Sequence, residues 1–415
     1  MAVDKMRQLP DTNALSWRRQ AFIHGRNDQF TNCQHGSWYF HPWHRAYLHY
    51  FEEIIRELSE DESFALPYWN WSQTRSIPAF FYGAGNPLND DTRVASQKDQ
   101  ISDDEVQEFV GADVVGRIIR NRDYASFGGE PNSSGDDENT PHNFIHRWVG
   151  FRPGRPPGNM VRGQSPLDPI FWLHHSNIDR HFSNWLALGH APPSDKNWLD
   201  RGFAHFFDRQ GTATGGNLTV RKMLKSEDLG YDYEDFDVTP PTPVPPSRTG
   251  TVLAKLVAGR AMLTNRIAPF ASAPLSDASA LKAWRAVAAD QGANQSVRLR
   301  IKNLNAPMRQ EDQNVSIRVF VNCLDPSPET PITDPTYAGS FTFFDLPHEN
   351  DDHHPSGVVL DATSAFRRVY GGRPVDANES VRVGLVSVPL FGEGEGGVLK
   401  EVDPRQVEIE VLSYV

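Results

Sequence analysis

Cys33-Gln34-His35-Gly36-Ser37-Trp38-Tyr39-Phe40-His41-Pro42-Trp43-His44-Arg45-Ala46-Tyr47-Leu48 carries two of six histidines that fall in two triplets: His24, His35 and His44, then His142, His146 and His175. Downstream of it Tyr47, Phe51, Ile54 and Leu58 recur at three- and four-residue steps. That spacing predicts an amphipathic helix starting near Trp43, with His44 in its first turn. His24 ends another helix-like stretch that follows Asn13. Neutral imidazole suits copper, zinc and iron, and three ligands hold a metal while leaving a coordination position open for chemistry. Two such clusters point to two metals.

The second triplet lies in Glu138-Asn139-Thr140-Pro141-His142-Asn143-Phe144-Ile145-His146-Arg147-Trp148-Val149-Gly150 and in Asp168-Pro169-Ile170-Phe171-Trp172-Leu173-His174-His175-Ser176-Asn177-Ile178-Asp179-Arg180. His142 and His146 are four apart, so on a helix both rings leave one face, with Pro141 in the tolerated first turn. The run Phe171 to Leu188, holding His175, also reads as helical. Four helices pointing histidines inward is the bundle-core arrangement used for two-metal sites. A histidine pair at this spacing is weak evidence by itself, and His41, His49, His181, His190 and His205 are read as ordinary core or surface groups. Trp38, Trp43, Trp148 and Phe171 are read as packing that excludes water.

The 415 residues exceed the usual size of one core, so two domains are expected. A net charge of -12 and a pI near 5.7 argue against nucleic acid or an anionic membrane surface as partner. No stretch is long and apolar enough to span a bilayer. The start, Met1-Ala2-Val3-Asp4-Lys5-Met6-Arg7, lacks the apolar core of a secretory signal, so the expectation is a soluble protein, cytoplasmic or exported after processing. Two cysteines, Cys33 and Cys323, cannot make a disulfide framework. Nine of ten tryptophans and twelve of fifteen histidines precede residue 206, and a proline-rich run from Thr239 to Ser247 follows, which places the domain boundary there. Beyond it the period changes to two: Val297, Leu299 and Ile301; Val315, Ile317, Val319 and Val321; Val407, Ile409 and Val411. This alternation predicts strands with one buried face. The expected architecture is a mainly α, four-helix-bundle catalytic domain (1–238), a proline-rich linker (239–250) and a C-terminal β-sandwich domain (251–415).

Together the histidine blocks closely resemble the two copper signatures of the tyrosinase and polyphenol oxidase (catechol oxidase) family, with order and spacing matching over roughly the first 235 residues. Ile317-Arg318-Val319-Phe320-Val321-Asn322, Ala338-Gly339-Ser340-Phe341 and Leu346-Pro347-His348 are similar to the C-terminal domain of its plant-type members. The resemblance implies two copper ions (Cu2+), the first on His24, His35 and His44 and the second on His142, His146 and His175, with His174 a neighbour. It implies an enzyme that oxidises o-diphenols to o-quinones with O2 and also hydroxylates some monophenols. A small phenolic molecule and O2 are the partners so implied.

The same resemblance casts further residues. Cys33, two before His35, matches a Cys-x-His arrangement that in some members carries a thioether; its bland reading is a small buried hydrophobe. Glu138 and Asn143 fall where plant-type members share a water that accepts a proton from an incoming phenol, which must ionise to bind copper. Glu138 otherwise reads as a solvated N-terminal acid beside Asp136 and Asp137. By its position one turn beyond His175, apart from the resemblance, Asp179 reads either as acceptor for a ligand's second ring nitrogen or as partner of Arg180. At the gate position stands Arg162, or Val161 if the loop is displaced by a residue; with Arg147 it would favour substrates carrying a carboxylate. In relatives of this layout the C-terminal domain inserts a side chain over the coppers, so activity should rise when residues after about 240 are removed. Tyr231-Asp232-Tyr233 resembles the paired-tyrosine element closing the family's catalytic domain. Three alternatives stand beside this reading: an o-aminophenol oxidase, a hemocyanin-like oxygen carrier, and a zinc or structural histidine site.

Overall fold

Ser16 accepts a hydrogen bond from the Arg19 backbone and thereby caps the first helix of the site, α1 (Trp17–His24). In this computed structural model, residues 2–26, 29–242, 244, 248–258, 278–289, 294–302, 304, 313–344, 357–372, 381–392 and 406–414 are described. The next helix, α2 (Phe40–Ser59), starts three residues earlier than the periodicity indicated, so His44 lies in its second turn. Pro42 permits this, because the missing N–H falls among first-turn donors that have no intrahelical acceptor. At the other end Glu60 takes a left-handed conformation (φ 59°) and closes the helix.

The stretch expected to be one helix from Pro141 onward is two. A π-helical turn, Glu138–His142, precedes α3 (Asn143–Gly150), and Pro141 lies inside that turn. A proline ring crowds the carbonyl four residues back, and the wider turn relieves it. Helix α4 (Ile170–Ala187) is buried from Ile170 through Trp185 on every face, polar residues included. It packs along α2, where the Phe51 and Trp172 rings stack at 3.4 Å.

The chain divides into two compact units. One comprises Met1–His35, Tyr39–Arg120 and Phe144–Pro245; the other comprises Gly36–Trp38, Asn121–Asn143 and Pro246–Val415. The second unit is therefore not confined to the chain beyond the spacer. It holds strands β1 (Thr251–Ala258), β2 (Gln295–Lys302), β3 (Val315–Val321), β4 (Tyr337–Thr342), β5 (Gly357–Asp361), β6 (Val383–Pro389) and β7 (Gln406–Ser413). They form two antiparallel sheets, ordered β1-β7-β2-β5 and β4-β3-β6. Leu299, Val297 and Ile409 from one sheet and Ile317, Val319 and Leu385 from the other share a single apolar core, but β3 is not limited to the one buried face expected, since Phe320 is buried with Val386 and Val388 in a second cluster. Two helices not foreseen from the sequence, α5 (Ala278–Ala289) and α6 (Thr363–Tyr370), add Trp284 and Phe366 to it. Leu346-Pro347-His348 and part of the proline run lie outside the described residues. Among the described residues no helix is long and apolar enough to cross a membrane.

Candidate metal centre

In the first unit α1 delivers His24 at its last residue, a turn delivers His35, and α2, α3 and α4 deliver His44, His146 and His175. All five are buried, none more than 4% exposed. Ring centroids of His24, His35 and His44 lie 5.2 to 5.8 Å from one another. His175 stacks on His44 at 4.3 Å, and His146 sits 5.3 Å from His175. Histidines from both triplets thus meet in one place.

Backbone carbonyls set the ring tautomers. Nδ1 donates to Gly163 from His24 (2.7 Å), to Phe40 from His44 (2.8 Å) and to Met160 from His146 (2.6 Å). Each Nε2 is left as the lone-pair nitrogen, the form in which a histidine binds a metal. Burial lowers His24 to about 4, against the raising effect of its Gly163 bond. Burial, then the neighbouring His174, hold His146 well below its ordinary value. Both rings are neutral at physiological pH.

The π turn belongs to the second unit. His142 ends it, fully buried, and its Nδ1 donates to Asn143 Oδ1 at 2.9 Å. Four residues later along the same helical run comes His146. Glu138 is 4% exposed and accepts a hydrogen bond from the Gly36 backbone at 2.7 Å, so it is not a solvated acid. Asn143 donates to the Thr342 carbonyl, and the Phe344 ring stands edge-on to His142 at 5.6 Å.

Other residues singled out from the sequence fall as follows. Cys33 is buried with its Sγ 3.3 Å from His35 Nδ1. Val161 is buried; Arg162 is half-buried and donates to the Pro157 carbonyl. Arg147 is fully buried with its guanidinium 4.2 Å over the Phe151 ring, and burial lowers it to about 9. Neither expected partner of Asp179 is the one found. Its Oδ1 accepts from Arg45 Nε at 2.6 Å and its Oδ2 from the hydroxyls of Tyr231 and Tyr233, each at 2.7 Å. Arg45 comes from α2, and no spacing signal connects residues so far apart. Burial, with the Asp179 carboxylate, pushes both tyrosines well up, so they remain donors. Trp43, Trp148 and Phe171 are core residues as read, while Trp38 is half-buried. His181 faces Asp237 at 3.6 Å, and His190 contacts the Ile119 carbonyl.

The role of His174, expected to be only a neighbour of the ligands, is decided by its surroundings. The ring is fully buried, and Trp71 Nε1 donates to its Nδ1 at 3.1 Å, which leaves its proton on Nε2. The candidate ligating atoms of His146, His174 and His175 lie within 4.8 Å of one another. With its proton on Nε2, His174 offers no lone pair on that atom.

The residues fit a metal. His24 Nε2 is buried with no hydrogen-bond partner among the described residues. His146 Nε2 and His175 Nε2 converge to 3.2 Å, close to the roughly 3.3 Å expected of two imidazoles bound at about 2 Å to one tetrahedral ion. Neutral nitrogen donors suit copper.

The sequence matches the common central domain of tyrosinase over residues 14–109 and 86–188, and the polyphenol oxidase middle domain over residues 193–240. The chain belongs to the tyrosinase and polyphenol oxidase family. Among relatives in this family is a chloroplastic polyphenol oxidase of Malus domestica, 28% identical over 96% of this chain and 74% of its own length. Aureusidin synthase of Antirrhinum majus is 33% identical over 58% of this chain and 50% of its own length. The chain thus spans between half and three quarters of these relatives. A solved structure of a recombinant latent aurone synthase (polyphenol oxidase) superposes over 100% of this chain and 86% of its own, at TM-score 0.69 and 24% identity, which shows the fold.

Proposed function

We propose that this chain is a copper-dependent oxidoreductase that oxidises o-diphenols to o-quinones with O2 and hydroxylates some monophenols. The observation that carries the reading is the stacking of His44 on His175 at 4.3 Å, which joins the two histidine triplets in one buried site. His24, His35 and His44 would hold one copper, and His142, His146 and His175 the other. When bound, the pair supplies a site where O2 and a phenol exchange electrons. The protein supplies the rest: carbonyl-fixed tautomers, neutral ligands, and an aromatic wall that excludes water.

Glu138 and Asn143 are assigned to proton transfer from an incoming phenol, supported by the burial of Glu138 at the start of the π turn. Cys33 is assigned a thioether to His35, supported by their 3.3 Å approach; it would lock the ring and withdraw a soft competing ligand. At the mouth Arg162, the half-buried member of its loop, would attract carboxylate-bearing substrates, and the buried Val161 would line the wall. Arg147, sealed over Phe151, is assigned no direct contact with substrate.

We read the architecture as a four-helix-bundle catalytic domain (1–238), a spacer (239–250) and a C-terminal β-sandwich (251–415). Phe344, edge-on to His142, is the side chain that would keep the enzyme latent.

Oxygen uptake on the copper-loaded protein tests the activity and its substrate preference, with monophenols, catechols, o-aminophenols and matched acid and amine catechols as substrates. Turnover of catechol, with the acid preferred, is expected. Copper binding with reversible O2 uptake and no turnover would indicate a carrier, and zinc in place of copper in the purified chain a zinc or structural histidine site.

A further inference from the structure

Segment 121–143 carries Glu138 and His142 but has little regular structure of its own. It holds one short helix, Tyr124–Gly128, and the π turn. Its hold comes from the sheets of the second unit. Arg298, on β2 and only 7% exposed, directs Nη1 to both Asp123 oxygens at 3.0 and 3.1 Å, while its Nε and Nη2 grip Glu410 on β7. Two residues along the same face, the Arg300 Nε bonds both Glu130 oxygens at 3.0 and 2.9 Å, and its Nη1 reaches Glu410. Such charge-assisted forks fix direction as well as distance. Further along, Ser134 and Asp136 accept backbone donors of Val359 and Asp361, and Thr140 donates to the Ser340 carbonyl.

We infer that Arg298 and Arg300 are positioning residues for the second metal, acting through Asp123 and Glu130 to hold the segment that presents Glu138 and His142. The inference rests on the reading of His142 as a copper ligand. The C-terminal chain then helps to hold the segment that presents His142. A loosened segment would misplace one of three ligands on one ion and leave His24, His35 and His44 intact.

The test uses the full chain with Asp123→Asn and Glu130→Gln together. Asparagine still caps the Tyr124–Gly128 helix, so the change removes charge and keeps the local turn. Two quantities are read: copper per chain, and hydrogen exchange across 121–143 against that in β2 and β7. Exchange at least tenfold faster in 121–143 with the strands unchanged, and copper falling from two ions to one, is the expected result. Unchanged exchange in the segment, or faster exchange with both ions retained at unchanged affinity, overturns it. If the double variant unfolds, Glu130→Gln alone, at a partly exposed pair, carries the same two readings. If the wild-type chain never holds two coppers, the metal reading fails, and the exchange arm, which needs no copper, still decides the clamp.

Discussion

At the scale of single residues, Glu138 and Asp179 show how burial turns an ordinary acid into a specific device. Glu138→Gln keeps an acceptor for the Gly36 N–H but removes the proton acceptor. Monophenol hydroxylation should fall on the order of 100-fold while catechol oxidation changes far less. The ratio of the two initial rates measures this, and an unchanged ratio would return Glu138 to a structural role. Asp179→Asn strands the fully buried Arg45 guanidinium, whose carboxylate partner is 2% exposed. Removing one member of a buried ion pair costs about 3–5 kcal/mol, which in a unit of this size lowers Tm by on the order of 10 °C. A scanning calorimetry trace of the first unit checks it. The histidine triplets were legible because the blocks that carry them resemble those of the tyrosinase and polyphenol oxidase family. The partners of Asp179 were not, because Arg45, Tyr231 and Tyr233 reach it from three separated parts of the chain.

At the scale of elements, periodicity located helix α2 and strands β2, β3 and β7, but it did not show that β3 and β7 are buried on both faces, and α4, buried all round, shows only a continuous run. The break between the π turn and α3 escaped notice because a proline near a helix start has the same signature in either geometry. Strand β7 makes a separate prediction. Burial would raise the Glu408 and Glu410 carboxyls, but the hydrogen bonds and charges of Lys302 and Lys255 on the first, and of Arg298 and Arg300 on the second, outweigh it and hold both below their ordinary value. A depressed carboxyl stabilises the fold fully above the unfolded value of about 4.3 and loses that contribution as pH falls through the lower folded one. The second unit should therefore loosen as pH falls below about 4. Exchange rates in β2 and β7 across pH 3 to 6, about the unfolded carboxyl range, would follow it, and a flat profile would contradict it.

At the scale of the whole molecule, removing the chain after about residue 240 takes away both the Phe344 ring and the Arg298–Arg300 hold on 121–143. Turnover per bound copper pair is expected to rise while copper content falls. A truncated protein that keeps its copper and works no faster would disprove the latency proposed for Phe344. Where the period switches from helix to strand, and the apolar rhythm of α2 and of strands β2, β3 and β7, were determined by the sequence alone. Those properties reside in neighbours a few positions apart, where side-chain geometry follows from the backbone repeat. That His44 stacks on His175, that Asp179 is shared by an arginine and two tyrosines, and that segment 121–143 belongs with strands more than 150 residues later were decided only by the tertiary structure. Such pairings depend on which surfaces exclude water together when the chain closes, and no spacing along a line of residues encodes that.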